Sequence, residues 1–406
     1  MSYLLAECEY ERVSEINLAD FVLVNTCIVK APTENKIKDF LIKLYKLHPL
    51  IIAGCLPQVL HAWCKEFIPN AALLGVDHFG DVCSAAKALE SKSIFDSLER
   101  SKPFCLEVNR DRDRNLTGII EISKGCTGEC TYCIVRIAKG MLISKPPTQI
   151  VNEATNALKQ GCKELWLTAQ DTASYGVDIG SKLPEIVREI TAIESDFMVR
   201  VGMMNADYAI KILDELKEMY VNPKVYGFAH IPLQSGSDQV LQKMKRKYTM
   251  KDYFTLIEEL RKISNITIST DIISGFPGET EGDHNLTKEA LERIQFDIIN
   301  ISKYGDRKGT VASRSKEKLP TQIVKQRSTE LTAIVREMTL NRNKQWLNWQ
   351  GKALALRRED DGKKTLLRNP AYKLIQVDDS TLDLGKWYTL KIIKALKTRL
   401  VGKIID

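Results

Sequence analysis

Three cysteines between residues 126 and 133 carry the clearest chemical signal in this sequence. Cys126, Cys130 and Cys133 have the spacing Cys-x3-Cys-x2-Cys, within the segment Lys124-Gly125-Cys126-Thr127-Gly128-Glu129-Cys130-Thr131-Tyr132-Cys133. Three thiolates on one tight loop can bind three irons of a cubane [4Fe–4S] cluster and leave the fourth iron open to a substrate. When that substrate is S-adenosylmethionine, one electron breaks a carbon–sulfur bond and yields a carbon radical that abstracts hydrogen. We therefore predict that these three cysteines are catalytic cluster ligands.

A structural zinc site is the alternative for a Cys-x2-Cys pair. Structural zinc takes four ligands, and the neighbourhood of these cysteines supplies no fourth one. His230 is the one candidate from elsewhere in the chain. Four further cysteines stand in no motif and are predicted to be small apolar core residues; they are Cys64, Cys83, Cys105 and Cys162.

The elements that would position cysteine ligands begin in residues 1–100. Apolar strands are predicted over 21–24, 50–53 and 72–76, with helical patterns between them. Strand–helix alternation with fully apolar strands predicts a parallel sheet that is covered on both faces. Such sheets bind ligands beyond the carboxyl ends of their strands, and Cys27 and Cys55 follow two of these ends.

A longer alternation of strands and helices fills residues 112–345. Six strands are predicted, and a long helical pattern follows from Pro320 to Gln350. Six strands with five intervening helices predict a partial (β/α)6 barrel, because a full eightfold barrel needs about 250 residues. The cysteine segment directly follows the first of these strands, which are expected at Ile119–Ser123, Leu165–Thr168, Met198–Gly202, Val225–His230, Thr267–Ile273 and Ile298–Ser302.

Residues 346–406 are predicted to form a small antiparallel β-barrel, so the whole chain belongs to the α/β class. Residues 341–406 hold 15 Lys and Arg against 7 Asp and Glu, whereas the remainder is nearly neutral. A basic module on a neutral body favours a nucleic-acid partner. The residues expected to contact it are Arg357, Arg358, Lys363, Lys364, Arg368, Lys373, Lys391, Lys394, Lys397 and Arg399, beside the aromatic residues Tyr372, Trp387 and Tyr388.

Composition excludes several classes of protein. With 44% hydrophobic and 27% charged residues, the 406-residue chain is globular rather than disordered or fibrous. No apolar run approaches the ~20 residues of a membrane helix, and the first residues lack a secretory pattern. We expect a cytoplasmic protein, in which ten cysteines favour metal, cluster or redox use over a disulfide framework.

These motifs, in this order, resemble the methylthiotransferase family of the radical S-adenosylmethionine superfamily. Besides the cysteine triplet, the resemblance rests on four segments. They are Ala19–Cys27, Ala53–Gln58, His230–Gly236 and Asp271–Thr280. The segment Leu167–Gly176 resembles the archaeal and eukaryotic branch, which converts N6-threonylcarbamoyladenosine in tRNA to its 2-methylthio form.

The resemblance implies an N-terminal methylthiotransferase domain, a radical barrel and a TRAM-type RNA-binding barrel. It implies S-adenosylmethionine and two [4Fe–4S] clusters, of which the auxiliary one would be held by Cys27 and Cys55. It further implies a tRNA anticodon stem-loop as substrate, a flavodoxin- or ferredoxin-type electron donor, no membrane partner and a monomer. The residues expected to contact the cofactor are Tyr132, Gln170, Asp171, Gln234, Arg246 and Gly275.

One departure from the family pattern leaves it undecided which residue would be the third ligand of the auxiliary cluster. Family members begin with a strand that ends in Gly-Cys, whereas this sequence starts at the following helix, and Cys8 stands where a glycine is usual. The third auxiliary ligand is therefore unassigned. Two alternative functions remain at this point: methylthiolation of a ribosomal-protein aspartate, and RNA binding without catalysis.

Overall fold

The computed structural model describes residues 1–29, 31–100, 116–359 and 362–405. These residues form two compact units. The first comprises Met1–Asp111, Lys124–Lys145 and Gly305–Arg314, and the second comprises Arg112–Ser123, Pro146–Tyr304 and Ser315–Asp406. The cysteine segment thus belongs to the same unit as the N-terminal sheet. Cys105 lies outside the described residues.

The N-terminal sheet has four parallel strands in the order β1-β2-β3-β4. The three predicted strands are confirmed, and β4 was missed because Asp96 and Ser97 carry no apolar signal. Ile52 packs in a core cluster with α2, and Ile51 packs with α5, so both sheet faces are covered. The strands are β1 (Val22–Thr26), β2 (Leu50–Gly54), β3 (Ala72–Leu74) and β4 (Asp96–Ser97), and the helices are α1 (Ser2–Glu7), α2 (Ala31–Tyr45), α3 (Cys55–Val59), α4 (His61–Phe67) and α5 (Val82–Glu90).

The middle of the chain alternates strands with helices, as predicted. The strands are β5 (Thr117–Glu121), β6 (Ser123–Lys124), β7 (Ile143–Ser144), β8 (Glu164–Thr168), β9 (Met198–Val201), β10 (Phe228–His230), β11 (Thr267–Ser274) and β12 (Ile298–Lys303). The helices are α6 (Val135–Lys139), α7 (Pro147–Lys159), α8 (Leu183–Thr191), α9 (Ala206–Ala209), α10 (Leu213–Tyr220), α11 (Asp238–Lys243), α12 (Met250–Arg261), α13 (Glu281–Ile294) and α14 (Thr321–Lys344).

All six predicted barrel strands are present and their pairings are parallel. They form two three-stranded sheets, β5-β8-β9 and β10-β11-β12. Isolated bridges from Val199 to Val225 and from Met203 to His230 connect the two sheets. The strands are rich in β-branched residues, and the helices turn apolar faces towards them, which builds one continuous core. This is the partial barrel that the sequence predicted.

The C-terminal residues form a closed five-stranded barrel in the order β13-β14-β15-β17-β16. Four of its pairings are antiparallel, whereas β15 and β17 pair in parallel. The small barrel is therefore confirmed, with one parallel pair that the sequence pattern did not indicate. Its strands are β13 (Gln350–Glu359), β14 (Lys364–Arg368), β15 (Leu374–Val377), β16 (Trp387–Ala395) and β17 (Leu400–Ile404).

The C-terminal barrel docks on the amino-terminal ends of the parallel strands. Glu164, the first residue of β8, accepts hydrogen bonds from Arg368 at 2.6 and 2.9 Å and from the Tyr226 hydroxyl at 2.5 Å. The Tyr372 ring lies 4.4 Å from that of Phe228. Because the buried Glu164 carboxylate accepts hydrogen bonds from Arg368 of the C-terminal barrel, it fixes the orientation of the docked barrel.

A second buried ion cluster lies at the same end of the strands. Asp297, immediately before β12, pairs with Arg261 at 2.7 Å, Lys373 at 3.1 Å and Arg342 at 3.2 Å. The Trp387 indole donates to Asp196. Lys373 and Trp387, like Arg368 and Tyr372 above, were expected to contact RNA, and that interpretation is wrong because intramolecular contacts occupy these side chains.

Candidate active site

The cysteine segment leaves β6 through a turn that only glycine can make. Gly125 has a φ of +75°, and a Cβ there would lie 1.8 Å from the carbonyl oxygen of Met141. The N–H of Cys126 then donates to the carbonyl of Gly140 at 3.2 Å. These contacts close the segment into a compact loop that ends at α6.

Within the loop, backbone and thiol groups approach one another closely. The N–H of Gly128 donates to Cys126 Sγ at 3.2 Å, and a Cβ on Gly128 would lie 3.8 Å from Cys130 Sγ. The N–H of Cys133 donates to the carbonyl of Cys130 at 3.1 Å. All three thiols are free of disulfides and partly exposed. Tyr132 is also partly exposed, on the same loop.

Arg136 on α6 fastens the loop from its other side. Its guanidinium donates to the carbonyl oxygens of Gly128 at 2.6 Å and Thr127 at 3.3 Å, both between Cys126 and Cys130. These two hydrogen bonds hold the backbone between Cys126 and Cys130 in place. Arg136 was not predicted from the sequence, although its position, three residues after Cys133, could have identified it.

Replacing Gly125 with alanine is expected to prevent the loop from loading iron. The added methyl group overlaps the Met141 carbonyl, and the backbone must leave the conformation that orients Cys126. Iron per chain after anaerobic reconstitution, with circular dichroism to check the fold, measures the effect. Gly161→Ala is the matched control, because Gly161 also has a positive φ of +92° but no atom within 4 Å of its added Cβ. Equal iron loading in the two variants would contradict this prediction.

Cys27 and Cys55 lie side by side at the carboxyl edge of the N-terminal sheet. They directly follow Thr26 and Gly54, which are register partners on β1 and β2. The Thr26 hydroxyl donates to the Ala53 carbonyl at 2.7 Å and accepts from the N–H of Leu56 at 3.1 Å, which ties the two strand ends together. Cys27 is exposed and Cys55 is partly exposed.

The two cysteine groups belong to one packed region of the first unit. Cys55 begins α3, and α3 packs against α6, the helix that follows the cysteine loop. Ile134, at the end of the loop, is buried in the same core cluster as Leu56. The sheet edge that carries Cys27 and Cys55 is thereby connected through two short helices to the loop.

Cys8 and Cys83 form a disulfide, which the sequence did not predict. The expectation that Cys83 is an apolar core thiol is wrong because α1 packs on α5 and brings the two cysteines together. In this state Cys8 cannot replace the unassigned auxiliary ligand. The buried positions of Cys64 and Cys162 confirm their interpretation as core residues, and burial raises the pKa of the Cys64 thiol to about 12.

The loop cysteines have the number and chemistry that a cubane cluster requires. Among the described residues, no three His, Cys, Asp or Glu side chains are grouped as ligands of a single metal ion. A cubane needs no such grouping, since each thiolate binds a different iron. Three thiols outside any disulfide on one short loop, with an N–H donor to Cys126 sulfur and the Arg136 cation on the same loop, fit that cluster.

The remaining predicted site residues lie in the second unit, and all except Arg246 are on loops that follow strands. Asp171 comes after β8 and is fully buried. Its Oδ1 accepts from the N–H groups of Ala173 at 3.1 Å and Asn205 at 2.9 Å, and its Oδ2 accepts from Asn205 Nδ2 at 2.9 Å. The geometry favours a role in joining the loops after β8 and β9, with the partly exposed Gln170 held beside it.

Replacing Asp171 with asparagine is expected to remove a pH dependence of stability. Burial raises the pKa of Asp171 from 3.8 to about 6, although hydrogen bonds from Asn205 oppose this shift. Because the unfolded chain ionises first, this group lowers the free energy of unfolding by up to about 3 kcal/mol as the pH rises from about 4 to about 6. Urea unfolding across that range measures the slope, with Asp207→Asn as the control. An unchanged slope in the Asp171 variant would refute this assignment.

The loop from His230 to Gly236 is held rigidly at the end of β10. The hydroxyls of Tyr253 and Tyr248 donate to the carbonyls of Ile231 and Leu233 at 2.7 and 2.8 Å. Gln234 has a φ of +69°, which is uncommon for a residue other than glycine. Its buried Oε1 accepts no hydrogen bond from any residue that the structure describes. A strained residue with an unused acceptor is typical of a ligand-binding position.

His230, Asp271 and Asn300 form a polar cluster beside this loop, and their grouping was not predicted from the sequence. His230 Nε2 lies 2.9 Å from Asp271 Oδ2, and Asn300 Nδ2 donates to Asp271 Oδ1 at 2.9 Å. The three residues come from the adjacent strands β10, β11 and β12, and Asp271 and Asn300 are direct register partners. Their shared face was the signal that could have identified them, once the strands were placed side by side.

Arg246 lies beside an aromatic ring, whereas Gly275 packs closely against α14. The Arg246 guanidinium lies 5.1 Å from the Tyr248 ring centroid, and its charge lowers the pKa of Asp171 slightly against the larger effect of burial. Gly275 has a φ of +76°, and its Cβ would lie 2.6 Å from Val324 on α14. Close packing by α14 therefore requires a glycine at this position.

Comparison with known proteins agrees with the fold and the cysteine loop. A model of the radical SAM superfamily matches residues 120–290, and a model of the uncharacterized protein family UPF0004 matches residues 1–75. Among solved structures, the radical S-adenosylmethionine methyltransferase TsrM from Kitasatospora setae superposes with a TM-score of 0.54 at 15% identity. That superposition covers 74% of this chain and 64% of TsrM. The superposition shows that the chain shares the fold of TsrM, and the cysteine loop lies within the segment that the radical SAM model matches.

Curated relatives narrow the class further. The chain is 37% identical, over 98% of its length and 91% of the relative, to the probable threonylcarbamoyladenosine tRNA methylthiotransferase of Methanocaldococcus jannaschii. It is 31% identical over its full length to the human threonylcarbamoyladenosine tRNA methylthiotransferase, of which it covers 71%. The chain belongs to the threonylcarbamoyladenosine tRNA methylthiotransferase family. That family implies a [4Fe–4S] cluster and S-adenosylmethionine.

Proposed function

We propose that this protein converts N6-threonylcarbamoyladenosine in tRNA to its 2-methylthio derivative by radical S-adenosylmethionine chemistry. The cysteine loop is the observation that carries the proposal, because three cysteines on one short loop, none of them in a disulfide, suit a cluster with one open iron. Relatives of known name share the whole length of the chain, from the N-terminal sheet to the C-terminal barrel. Their names favour tRNA over a ribosomal-protein aspartate as the substrate, and an enzyme over an RNA-binding protein without catalysis.

Cys126, Cys130 and Cys133 would hold the radical-generating cluster. When bound, it supplies the electron that cleaves S-adenosylmethionine and so gives the carbon radical that removes hydrogen from C2 of the adenine. Gly125 sets the path of the loop, Arg136 fixes its carbonyl groups, and the Gly128 N–H stabilises the charge on Cys126 sulfur. Tyr132 lies on the same loop, where its ring can contact the adenine of the cofactor.

Residues at the strand ends of the second unit would bind the rest of the cofactor. Gln170 and Gln234 supply amide groups, and the unused Gln234 Oε1 suits an N–H or ammonium donor. Arg246 supplies a cation for a carboxylate. Asp171 positions Gln170 rather than touching the ligand, and Gly275 keeps its backbone free of a side chain.

Cys27 and Cys55 would hold the auxiliary cluster that provides the sulfur. Their positions on neighbouring strand ends, in the same packed region as the loop, support this assignment. A third protein ligand is not assigned, so iron content is informative: about eight irons per chain indicate two clusters, and about four indicate the radical site alone. The protein would act as a monomer, and a flavodoxin- or ferredoxin-type protein would supply its electrons. The anticodon stem-loop would be the part of the tRNA that it binds.

Turnover tests the proposal directly. The protein is reconstituted anaerobically with iron and sulfide, then incubated with S-adenosylmethionine, a reductant and tRNA that contains N6-threonylcarbamoyladenosine. Mass spectrometry of digested nucleosides is expected to show the 2-methylthio product. Deoxyadenosine formation without this product, on protein that carries both clusters, would contradict the assigned substrate. Parallel incubation with the ribosomal-protein substrate tests the alternative.

A further inference from the structure

The parallel strands of the second unit have an inner face that is polar rather than closely filled. Alternate residues of these strands pack in the core against the helices, so their neighbours point to the opposite face, the inside of the partial barrel. A closed (β/α)8 barrel fills that space with layers of bulky apolar side chains. Polar and aromatic residues stand here instead, among them Trp166, Arg200, Phe228, His230, Asp271 and Asn300.

Arg200 on β9 lies among three aromatic rings at this inner face. Its guanidinium carbon is 5.4 Å from the ring centroid of Trp166, its register partner on β8. The ring centroids of Phe228 and Tyr372 lie at 5.2 and 5.8 Å. Aromatic rings at such distances attract a cation, so they hold the guanidinium in position without neutralising its charge.

The charge of Arg200 has no counterion among the described residues. Arg368 packs against the same rings of Trp166 and Tyr372, but it is paired with the Glu164 carboxylate at 2.6 Å. For Arg200 the structure gives only a hydrogen bond to the Tyr372 hydroxyl, and its buried Nε–H has no acceptor in the described part of the chain. A buried donor without an acceptor is costly, and it is typical of a position where a ligand supplies the acceptor.

A polar group stands next to this cation on β10. His230 is two residues after Phe228 on the same face, and the two rings lie 6.4 Å apart. His230 Nε2 lies 2.9 Å from Asp271 Oδ2, which favours a proton on Nε2 and makes Nδ1 an acceptor. The inner face therefore offers a cation and a hydrogen-bond acceptor on either side of one apolar ring, which suits a small polar group that carries a negative charge.

We propose that Arg200 binds the carboxylate of the threonylcarbamoyl group of the substrate. The inference rests on the proposed function for the identity of that group, and on the contacts of Arg200 for the location. A planar guanidinium binds a carboxylate through two parallel hydrogen bonds, which fix the orientation of the bound group. Because unmodified adenine carries no carboxylate, Arg200 is a specificity-determining residue that distinguishes the modified base from its precursor.

Equilibrium binding of anticodon stem-loop RNA to the full-length protein tests this inference. Two RNAs of one sequence are compared: the first contains N6-threonylcarbamoyladenosine, and in the second the threonyl carboxylate is a primary amide of nearly the same shape. The wild type is expected to bind the acid RNA about 10- to 100-fold more tightly than the amide RNA. Arg200→Met is expected to bind the two RNAs equally, since it lacks the charge that separates them.

Two further variants make the result specific. Arg200→Lys keeps the charge without the planar fork, so it should retain part of the preference for the acid RNA. Arg293→Met is the matched control, because Arg293 also packs on an aromatic ring, that of Phe254 at 3.8 Å, but pairs with Glu258 on the outer helices. It should keep the full preference of the wild type.

The preference is a ratio of two affinities, so a general loss of RNA binding does not imitate its loss. Equal affinity of the wild type for the acid and amide RNAs would overturn the inference, whatever Arg200→Met does to the fold. An Arg200→Met protein that keeps the full preference would also overturn it. Because binding needs no turnover, a protein that prefers the acid RNA through Arg200 but forms no 2-methylthio product would count against the proposed function alone.

Discussion

Replacing Cys130 with alanine is expected to abolish the formation of 5′-deoxyadenosine from S-adenosylmethionine. Cys130 is the middle ligand of the loop. Its sulfur lies beside Gly128, and its carbonyl accepts a hydrogen bond from the N–H of Cys133. With two thiolates remaining, a cubane loses the third attachment that leaves only one iron open. Deoxyadenosine is measured by chromatography after anaerobic reconstitution and addition of a reductant, and should fall to the level without protein.

Two further variants make this result specific. Cys162→Ala changes a thiol that is 2% exposed in the core of the second unit, so it should keep both iron and deoxyadenosine formation. Cys27→Ala should retain deoxyadenosine formation but lose methylthiolated product, because it alters only the auxiliary group. If Cys130→Ala still released deoxyadenosine at the wild-type rate, the assignment of the radical site to this loop would be wrong.

Much of the fold follows from local apolar patterns in the sequence. Leu50–Gly54 was recognisable because a strand that is buried on both faces is apolar throughout. Short strands escaped recognition: Asp96–Ser97 has no apolar residue, and β14 and β17 are five residues long and include charged residues. The parallel pairing of β15 with β17 depends on closure of the barrel, which no local pattern encodes.

The candidate site was predictable where residues adjacent in sequence act together. The cysteine loop was found because its ligands lie within eight residues of one another. Contacts between distant segments were not: Asp271 with Asn300, Cys8 with Cys83, and Arg368 with Glu164 all join positions that are far apart in sequence. For the same reason the sequence could not distinguish the basic residues that dock the C-terminal barrel on the parallel strands from the basic residues that take no part in this docking.

The cluster around Asp297 shows how strongly that docking is held. Its carboxylate is 2% exposed and meets the cations of Arg261, Arg342 and Lys373. Burial alone would raise the pKa of Asp297, but the charges of Lys373, Arg261 and Arg342 together lower it to about 2. Since the carboxyl ionises near pH 3.8 in the unfolded chain, its contribution to stability is complete above about pH 4 and is lost as the pH falls towards 2.

Replacing Asp297 with asparagine is therefore expected to lower the free energy of unfolding by about 3–5 kcal/mol at neutral pH. The amide keeps the shape of the side chain but leaves the buried Lys373 and the partly exposed Arg261 and Arg342 without their counterion. Urea unfolding measures the loss, which should shrink as the pH approaches 2. Asp383→Asn, at an exposed pair, should change little, and Lys373→Met added to the Asp297 variant should restore part of the stability because it removes an unpaired cation. Equal stability of the Asp297 variant and the wild type at pH 7 would show that these ion pairs do not hold the C-terminal barrel in place.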